Sequence, residues 1–310
     1  MSLPLLIAKQ IGAMLILVLI GWLLVKLRLL GTESGKPLSV LLVYAITPCA
    51  IISSYQIEFS VEKLSGLAYA AAIALVAQSL FLFIGMLERK LLHLSSIEEA
   101  SVEYSNAGNL ILPLVAATLG QEWVLYATAY LVVQAPFLWT HSIRLISESQ
   151  VKSKRNIAGY LNLFAVAIGV ATFLFSLRLP SLLDSVVSSV GGMIGPASMF
   201  LIGILLAGTN PRPFLRRKTA YVTIFTRLIL CPLLFLLLMK LTGATALHPQ
   251  GRQILLVVLL AAAAPVASSV SQFAQLFDNE PAYAGALNTL TILLCILSMP
   301  LMVYLYLTFQ

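Results

Sequence analysis

The sequence predicts an all-α polytopic membrane protein with ten transmembrane helices, arranged as two inverted repeats of five. Three observations lead to this fold class. The 310 residues are 60% hydrophobic and 10% charged, whereas soluble domains carry about 25% charged residues. Apolar stretches of about 20 residues, the length that spans a bilayer, occur ten times. Prolines interrupt two of these stretches at matching places in the two halves of the chain.

The ten predicted spans are separated by short polar loops. They cover residues 5–26, 37–56, 64–87, 101–119, 123–146, 158–176, 186–208, 219–241, 253–276 and 281–307. The first is too long for the apolar region of a signal peptide, and its basic residues follow it instead of preceding it. We therefore interpret it as a transmembrane helix.

The basic residues of the loops predict the orientation. With the N-terminus outside, thirteen Lys and Arg residues fall on the inner side and five on the outer side, as the positive-inside rule requires. An even number of spans places the C-terminus outside as well. We therefore expect a multi-pass protein of the cell (inner) membrane with both termini outside the cytoplasm. The net charge of +7 then reflects membrane topology and not a nucleic-acid partner.

The most polar stretch, SESQVKSKRN at residues 147–156, divides the chain into five spans and five spans. We predict a first repeat at residues 1–147, a cytoplasmic linker at 148–157 and a second repeat at 158–310. Because each half has an odd number of spans, the halves have opposite orientations in the membrane, which is the pattern of an inverted repeat.

Matching prolines support the repeat. Pro48 in the second span has a counterpart in Pro196 of the seventh, 148 residues later, and Pro113 in the fourth has one in Pro265 of the ninth, 152 residues later. A proline removes a backbone donor and clashes with the carbonyl four residues before it. Two interrupted helices at corresponding positions of two halves indicate a transport site near the midplane.

Polar residues near these prolines are the candidate substrate ligands. Asn106 and Asn109 precede Pro113, and Ser268 and Ser269 follow Pro265. The half-helix that restarts after each break would present free N–H groups and partial positive charge, which suits an anion. The same side chains are equally able to cap the broken backbone.

Arg227, in TIFTRLILCPLL of the eighth span, is the charge that lies well inside a span. An arginine at mid-helix costs about 2.5–3.5 kcal/mol on insertion scales, so a compensating partner is expected. We find no Asp or Glu at comparable depth. Three explanations remain open: the counter-charge is a transported anion, the side chain reaches the inner surface, or it binds carbonyls at a helix C-terminus.

The remaining ionisable groups do not suggest an enzyme. His141 lies near the inner end of the fifth span, and the sequence shows no carboxylate to partner it. Glu103 is the best candidate for proton coupling, although a solvated loop acid beside Glu98 and Glu99 explains it equally well. We expect no catalytic residues, no metal site and no cofactor.

Three segments carry a wider resemblance: YSNAGNLILPLVAATLG, IGPASMFLIGILLAG and AAAAPVASSVSQFAQLFDNEPAYAGALNTLTILLCILSMPL. They resemble the auxin efflux carrier family, including its bacterial members related to malonate transporters. The resemblance implies a scaffold domain and a transport domain whose fourth and ninth helices cross at their prolines, with Asn106, Pro113 and Pro265 at the crossing. Ile111 departs from the family, where glycine is common, as do Asn109 and Arg227, the latter replacing a frequent lysine.

We therefore expect a secondary transporter or electrogenic facilitator for a small organic carboxylate anion, working by an elevator-like motion and in the direction of efflux. The predicted partners are that anion and the lipid bilayer. The sequence leaves open coupling to protons or sodium, and assembly as a homodimer. The alternative function is a sodium-coupled organic-anion symporter of the bile-acid type.

Overall fold

The computed structural model describes residues 3–147, 157–208 and 217–309, and every regular element in these ranges is helical. The first part of the chain forms α1 (Leu3–Lys26), α2 (Gly35–Leu41), α3 (Thr47–Ser54), α4 (Val61–Leu92), α5 (Ser96–Glu103), α6 (Leu112–Thr118), α7 (Gln121–Phe137) and α8 (Ile143–Ser147). The second part forms α9 (Ile157–Leu174), α10 (Ser181–Gly192), α11 (Ile194–Gly208), α12 (Lys218–Phe225), α13 (Cys231–Leu241), α14 (Gly251–Ala262), α15 (Ser268–Leu276) and α16 (Pro281–Phe309).

Within the described residues, five stretches of helix are long and apolar enough to cross a membrane: Thr32–Ser54, Val61–Leu92, Ser181–Gly208, Lys218–Leu241 and Pro281–Phe309. Shorter apolar helices lie at Gly12–Lys26, Phe164–Leu174 and Gly251–Ala262. An all-helical protein with several membrane spans is thus confirmed, and helix is present at each of the ten predicted spans. The arrangement of ten spans as five plus five stays a prediction. Of the predicted linker, only its last residue is among the described residues.

The fourth and ninth predicted spans are both interrupted. The first interruption separates α5 from the helical turn at Ala107–Ile111, and the second separates α14 from α15. Pro265 lies inside the second interruption, between α14 and α15. Pro113 does not lie in the first one, because it is the second residue of α6. The expectation that Pro113 sits at the crossing is therefore wrong.

Wide π-helical turns explain why three prolines lie within helices without interrupting them. The π-helical segments Leu42–Ile46, Ala107–Ile111 and Thr226–Leu230 each run directly into an α-helix whose second residue is a proline, namely Pro48, Pro113 and Pro232. A proline clashes with the carbonyl four residues before it, and that carbonyl lies within the π segment in each case. Widening the turn relieves the clash without ending the helix.

The helices pack into two sets, which also contact each other where α1 packs on α16 and α6. The first packing group comprises α1–α3 and α9–α11, in which α1 packs on α11 and α3 packs on α9 and α10. The second packing group comprises α4–α8 and α12–α16, in which α4 packs on α5, α7 and α14 and α15 packs on α16. Both interrupted helices belong to the second packing group.

Two glycines allow the closest approach within the first packing group. Gly21 of α1 and Gly203 of α11 face each other where the two backbones touch. A Cβ atom on Gly21 would lie 2.5 Å from the carbonyl oxygen of Phe200, and one on Gly203 would lie 2.7 Å from the backbone nitrogen of Trp22. Small residues at such a contact let helices pack through their backbones in a membrane.

Gly203→Ala is expected to destabilise the protein by about 1–3 kcal/mol, the usual cost of overpacking a tight contact. Thermal unfolding of the purified protein in detergent measures the effect. Gly12→Ala is the matched control on α1, because a Cβ there meets no atom of the described residues within 4 Å. Equal melting temperatures for the two variants would contradict this account of the α1–α11 contact.

Candidate functional site

The two interruptions cross and satisfy each other's backbone. The Asn106 N–H donates to the Pro265 carbonyl at 2.8 Å, and the Ala267 N–H donates to the Tyr104 carbonyl at 2.9 Å. Ser105 and Val266 thereby form a short antiparallel bridge. Unwound backbone at membrane depth is tolerated only where it is buried in protein or lines a cavity. The crossing meets this condition by pairing one break with the other.

Side chains from α7 and α16 satisfy the outward-facing groups of the bridge. Gln134 Oε1 accepts from the backbone nitrogen and the hydroxyl of Ser105, both at 3.0 Å, and its Nε2 donates to the Ser105 carbonyl at 2.9 Å. On the other strand, the Val266 carbonyl accepts from Asn288 Nδ2 at 3.0 Å, and its N–H donates to Thr291 Oγ1 at 3.2 Å. The bridge is therefore fixed from both sides.

Arg227 binds the helix ends that stop at the crossing. Its guanidinium is fully buried, with an exposed fraction of 0%. Nε donates to the Ala264 carbonyl at 3.0 Å, Nη1 to the Val102 carbonyl at 3.0 Å, and Nη2 to the carbonyls of Ala262 and Ala264 at 2.6 and 2.9 Å. The group also lies 5.1 Å from the ring centre of Phe81. Of the three explanations for this arginine, binding to C-terminal carbonyls is the one observed.

This arrangement has an electrostatic cause. The last carbonyls of a helix lack intrahelical partners and carry the negative end of the helix dipole. At the crossing these carbonyls belong to α5 and α14, and the five N–H groups of one arginine suit such a cluster of acceptors. Removing the arginine would leave several buried carbonyls unpaired.

A cavity opens between the crossing and the first packing group. Its volume is about 120 Å³. The crossing supplies Ser105, Asn106 and Gly108, and the start of α15 supplies Ala267–Ser269 and Gln272. The remaining walls come from α3, α7 with the turn after it, and α9: Thr47, Ile51, Leu131, Gln134, Ala135, Leu138, Trp139, Asn162 and Val166.

The predicted substrate ligands divide into three sets. Asn106, Ser268 and Ser269 line the cavity. Pro113, Pro265 and Arg227 are not among its lining residues. The side chain of Asn109 lies outside the described part of the structure. Polar residues Thr47, Gln134, Asn162 and Gln272 were missed as cavity residues, although a polar side chain within an apolar span is the signal that could have found Gln134 and Asn162.

Asn106 offers an unused donor at the cavity. The residue is 4% exposed, and its Nδ2 has no hydrogen-bond partner among the described residues. A buried donor without a partner costs about 1–3 kcal/mol, so a ligand acceptor at this position would stabilise the site. The start of α15 also borders the cavity, which adds the positive end of a helix dipole.

A buried acid and a histidine lie beside the crossing. Glu103 has an exposed fraction of 0%, and its Oε2 is 3.3 Å from Nδ1 of His141. Two expectations are thereby corrected: His141 does have a carboxylate partner, and Glu103 is not a solvated loop acid. The fold brings the two together because α5 packs on α8, directly after the turn that carries His141.

Comparison with known protein families shows that the chain is similar to one family of membrane proteins over nearly its whole length. A family model described as Membrane transport protein matches residues 6–159 and 156–303, which together cover nearly the whole sequence. A search of curated proteins found no match to the chain.

Arg227→Gln is expected to lower thermal stability strongly, because each buried carbonyl that loses its donor costs about 1–3 kcal/mol. Arg227→Lys should be less harmful, since it keeps the charge but has fewer donors in a less suitable geometry. Lys218→Gln, at an exposed position at the start of α12, is the control and should unfold like the wild type. An Arg227→Gln protein as stable as this control would show that the carbonyls do not need the arginine.

Proposed function

Because the chain belongs to the auxin efflux carrier family of membrane transport proteins, we propose that it carries a small organic carboxylate anion through the cavity at the crossing. The substrate would pass between the two packing groups. We further propose that export is the working direction, since moving one negative charge out of a negative-inside cell gains about 2.3 kcal/mol per 100 mV.

The main support for an anionic substrate is that the negative helix ends at the crossing are neutralised by Arg227, whereas a positive helix end borders the cavity. Arg227 neutralises the carbonyl ends of α5 and α14 on one side. The cavity is left with the start of α15 and with Nδ2 of Asn106, which has no partner in the part of the chain that the structure describes. Oriented N–H groups at a helix start favour an anion without a full positive charge in the site. A carboxylate oxygen is the acceptor that suits the Asn106 amide.

The dimensions of the cavity favour a small solute. Its volume of about 120 Å³ is well below the roughly 300–1,000 Å³ of pockets for drug-sized ligands. Polar side chains stand on several sides, whereas Ile51, Leu131 and Val166 supply apolar contacts. This mixture suits a short carbon chain with one or two carboxylates, such as malonate.

We propose ten spans in two inverted repeats, residues 1–147 and 158–310, for the architecture. The matched breaks support this arrangement, and so do the side chains that fix them. Gln134 secures the first break and Asn288 the second, each from the predicted span that follows the broken one. The second packing group would move against the first, carrying the cavity between the membrane faces as an elevator does.

Transport measurements in proteoliposomes test the proposed function. Purified protein should give saturable flux of radiolabelled malonate or a related carboxylate, and an imposed membrane potential should change the rate. Sodium is included in one arm, since sodium-dependent uptake would favour the bile-acid type of symporter instead. No saturable flux of any carboxylate under any gradient would sink the proposal.

Asn106→Ala is expected to raise the half-saturation constant for the anion about tenfold to a hundredfold, because a hydrogen bond to a charged group contributes about 1.5–3 kcal/mol. Asn106→Asp should impair binding further, since it places a negative charge at the same position. Thr140→Ala, at an exposed position near the cavity, is the control. Tighter binding by Asn106→Asp would instead indicate a cationic substrate.

A further inference from the structure

The carboxylate of Glu103 occupies an unusual position, since it is fully buried and neither oxygen has a hydrogen-bond partner among the described residues. Its ion-pair partner is His141, whose Nδ1 lies 3.3 Å from Oε2 and which is positive only when protonated. Burying an unpaired carboxylate is expensive. One proton shared by Glu103 and His141 removes this cost, because the pair is then neutral overall.

The other charged groups around the pair already have partners or stand at the surface. On α4, Arg89 binds Glu99 at 2.6 Å, and Glu88 accepts from Thr226 at 2.6 Å. Arg227 is bound to carbonyls. Among the other elements packed on α5, α8 contributes the exposed Arg144, and α12 contributes the exposed Lys218 and Tyr221. Tyr283 of α16 donates to Glu98 and lies under Arg217, and Arg217 is paired with Glu280. The sequence of α15 has no titratable residue. His141 is therefore the group that decides the charge at Glu103.

The pair is joined to both the crossing and the cavity. Glu103 directly precedes Tyr104, whose carbonyl accepts the Ala267 N–H of the crossing, and the Tyr104 hydroxyl lies 2.9 Å from His141 Nδ1. His141 belongs to the turn Leu138–Ser142, and two residues of this turn, Leu138 and Trp139, line the cavity. A change of charge at the pair therefore alters the electrostatic potential in the cavity where the substrate would bind.

We propose that Glu103 and His141 form a proton-binding site and that a carboxylate anion and a proton bind to this protein together. The proposal rests on the proposed transport function and deepens it. A malonate dianion bound with one proton still carries one net negative charge, so the membrane potential continues to favour its export. An anion in the cavity makes the potential at Glu103 more negative, which favours a proton on the pair. By linkage, a proton on the pair favours the anion to the same extent.

His141 provides the path for the proton. Its side chain is 38% exposed, whereas that of Glu103 is 0% exposed. The ring takes up a proton from solvent and passes the proton on Nδ1 to Glu103 Oε2, which restores a neutral ring. No bond other than these N–H and O–H bonds changes.

Binding of radiolabelled malonate to the purified protein as a function of pH tests the linkage. For the wild type, the affinity should weaken by up to about tenfold for each pH unit of increase, the limit for one linked proton. Glu103→Gln, which mimics the protonated acid in shape, should show a flatter profile. Because malonate titrates identically in every sample, the difference between the two profiles isolates the proton of the protein.

Two further variants serve as a second test and as a control for the pH dependence of malonate binding. His141→Gln should flatten the profile as well, so the test does not depend on one variant folding. Glu62→Gln, at an exposed position at the start of α4, should behave like the wild type. Proton uptake on malonate addition, measured in weakly buffered solution, should approach one proton per anion for the wild type and zero for Glu103→Gln. Identical profiles for Glu103→Gln and the wild type overturn the proposal.

Infrared difference spectra without malonate separate this failure from failure of the proposed function. Lowering the pH should produce the carbonyl band of a protonated buried carboxyl group in the wild type, and Glu103→Gln should lack it. Absence of that band overturns the protonation site whether or not malonate binds. A band together with no binding of any carboxylate would count against the proposed function and against the linkage, but would keep Glu103 as the protonated group.

Discussion

The need to pair every backbone group inside the membrane is the constraint on which the rest of this structure depends. Two helices stop at the crossing, and lipid offers no hydrogen-bond partner for their ends. The bridge between Ser105 and Val266 pairs one break with the other, and Gln134 and Asn288 pair the groups that face outward. Arg227 completes the arrangement by binding the C-terminal carbonyls. A buried charge, costly by itself, is thus the partner that makes two interrupted helices tolerable.

The same pairing determines what is left for a ligand. Because an arginine is committed to the carbonyl ends, the cavity is bordered by a helix start and by amide and hydroxyl groups. Asn106 stands at the boundary: its backbone N–H belongs to the bridge, and its side-chain amide belongs to the cavity. A ligand at this position would therefore contact the same residue that holds the two breaks together.

Much of the helical architecture could be predicted from the sequence, whereas the position of the first break and the contacts at the crossing could not, for identifiable physical reasons. The segments that carry the breaks were found, because a proline in an apolar span is visible locally. The break itself was misplaced at Pro113, because the π-helical turn at Ala107–Ile111 absorbs the steric effect of the proline and the chain opens earlier, at residues 104–106. The partners of Arg227 are carbonyls, which have no signature in a sequence. The contact between Glu103 and His141 joins different helices, so no local pattern could reveal it.

The distribution of hydrogen bonds between the two packing groups has a kinetic consequence. The bonds of the crossing, including those of Arg227, Gln134 and Asn288, all join residues of the second packing group. The described side-chain bonds from this group to the first include one from Gln272 to Ser39 and one from Thr128 to Tyr55. In the proposed elevator motion, sliding one group along the other would exchange these hydrogen bonds and the packing of α1 on α16 and α6, while the crossing stays intact. The activation enthalpy of such a step would then come from side chains passing one another, and not from opening the broken helices.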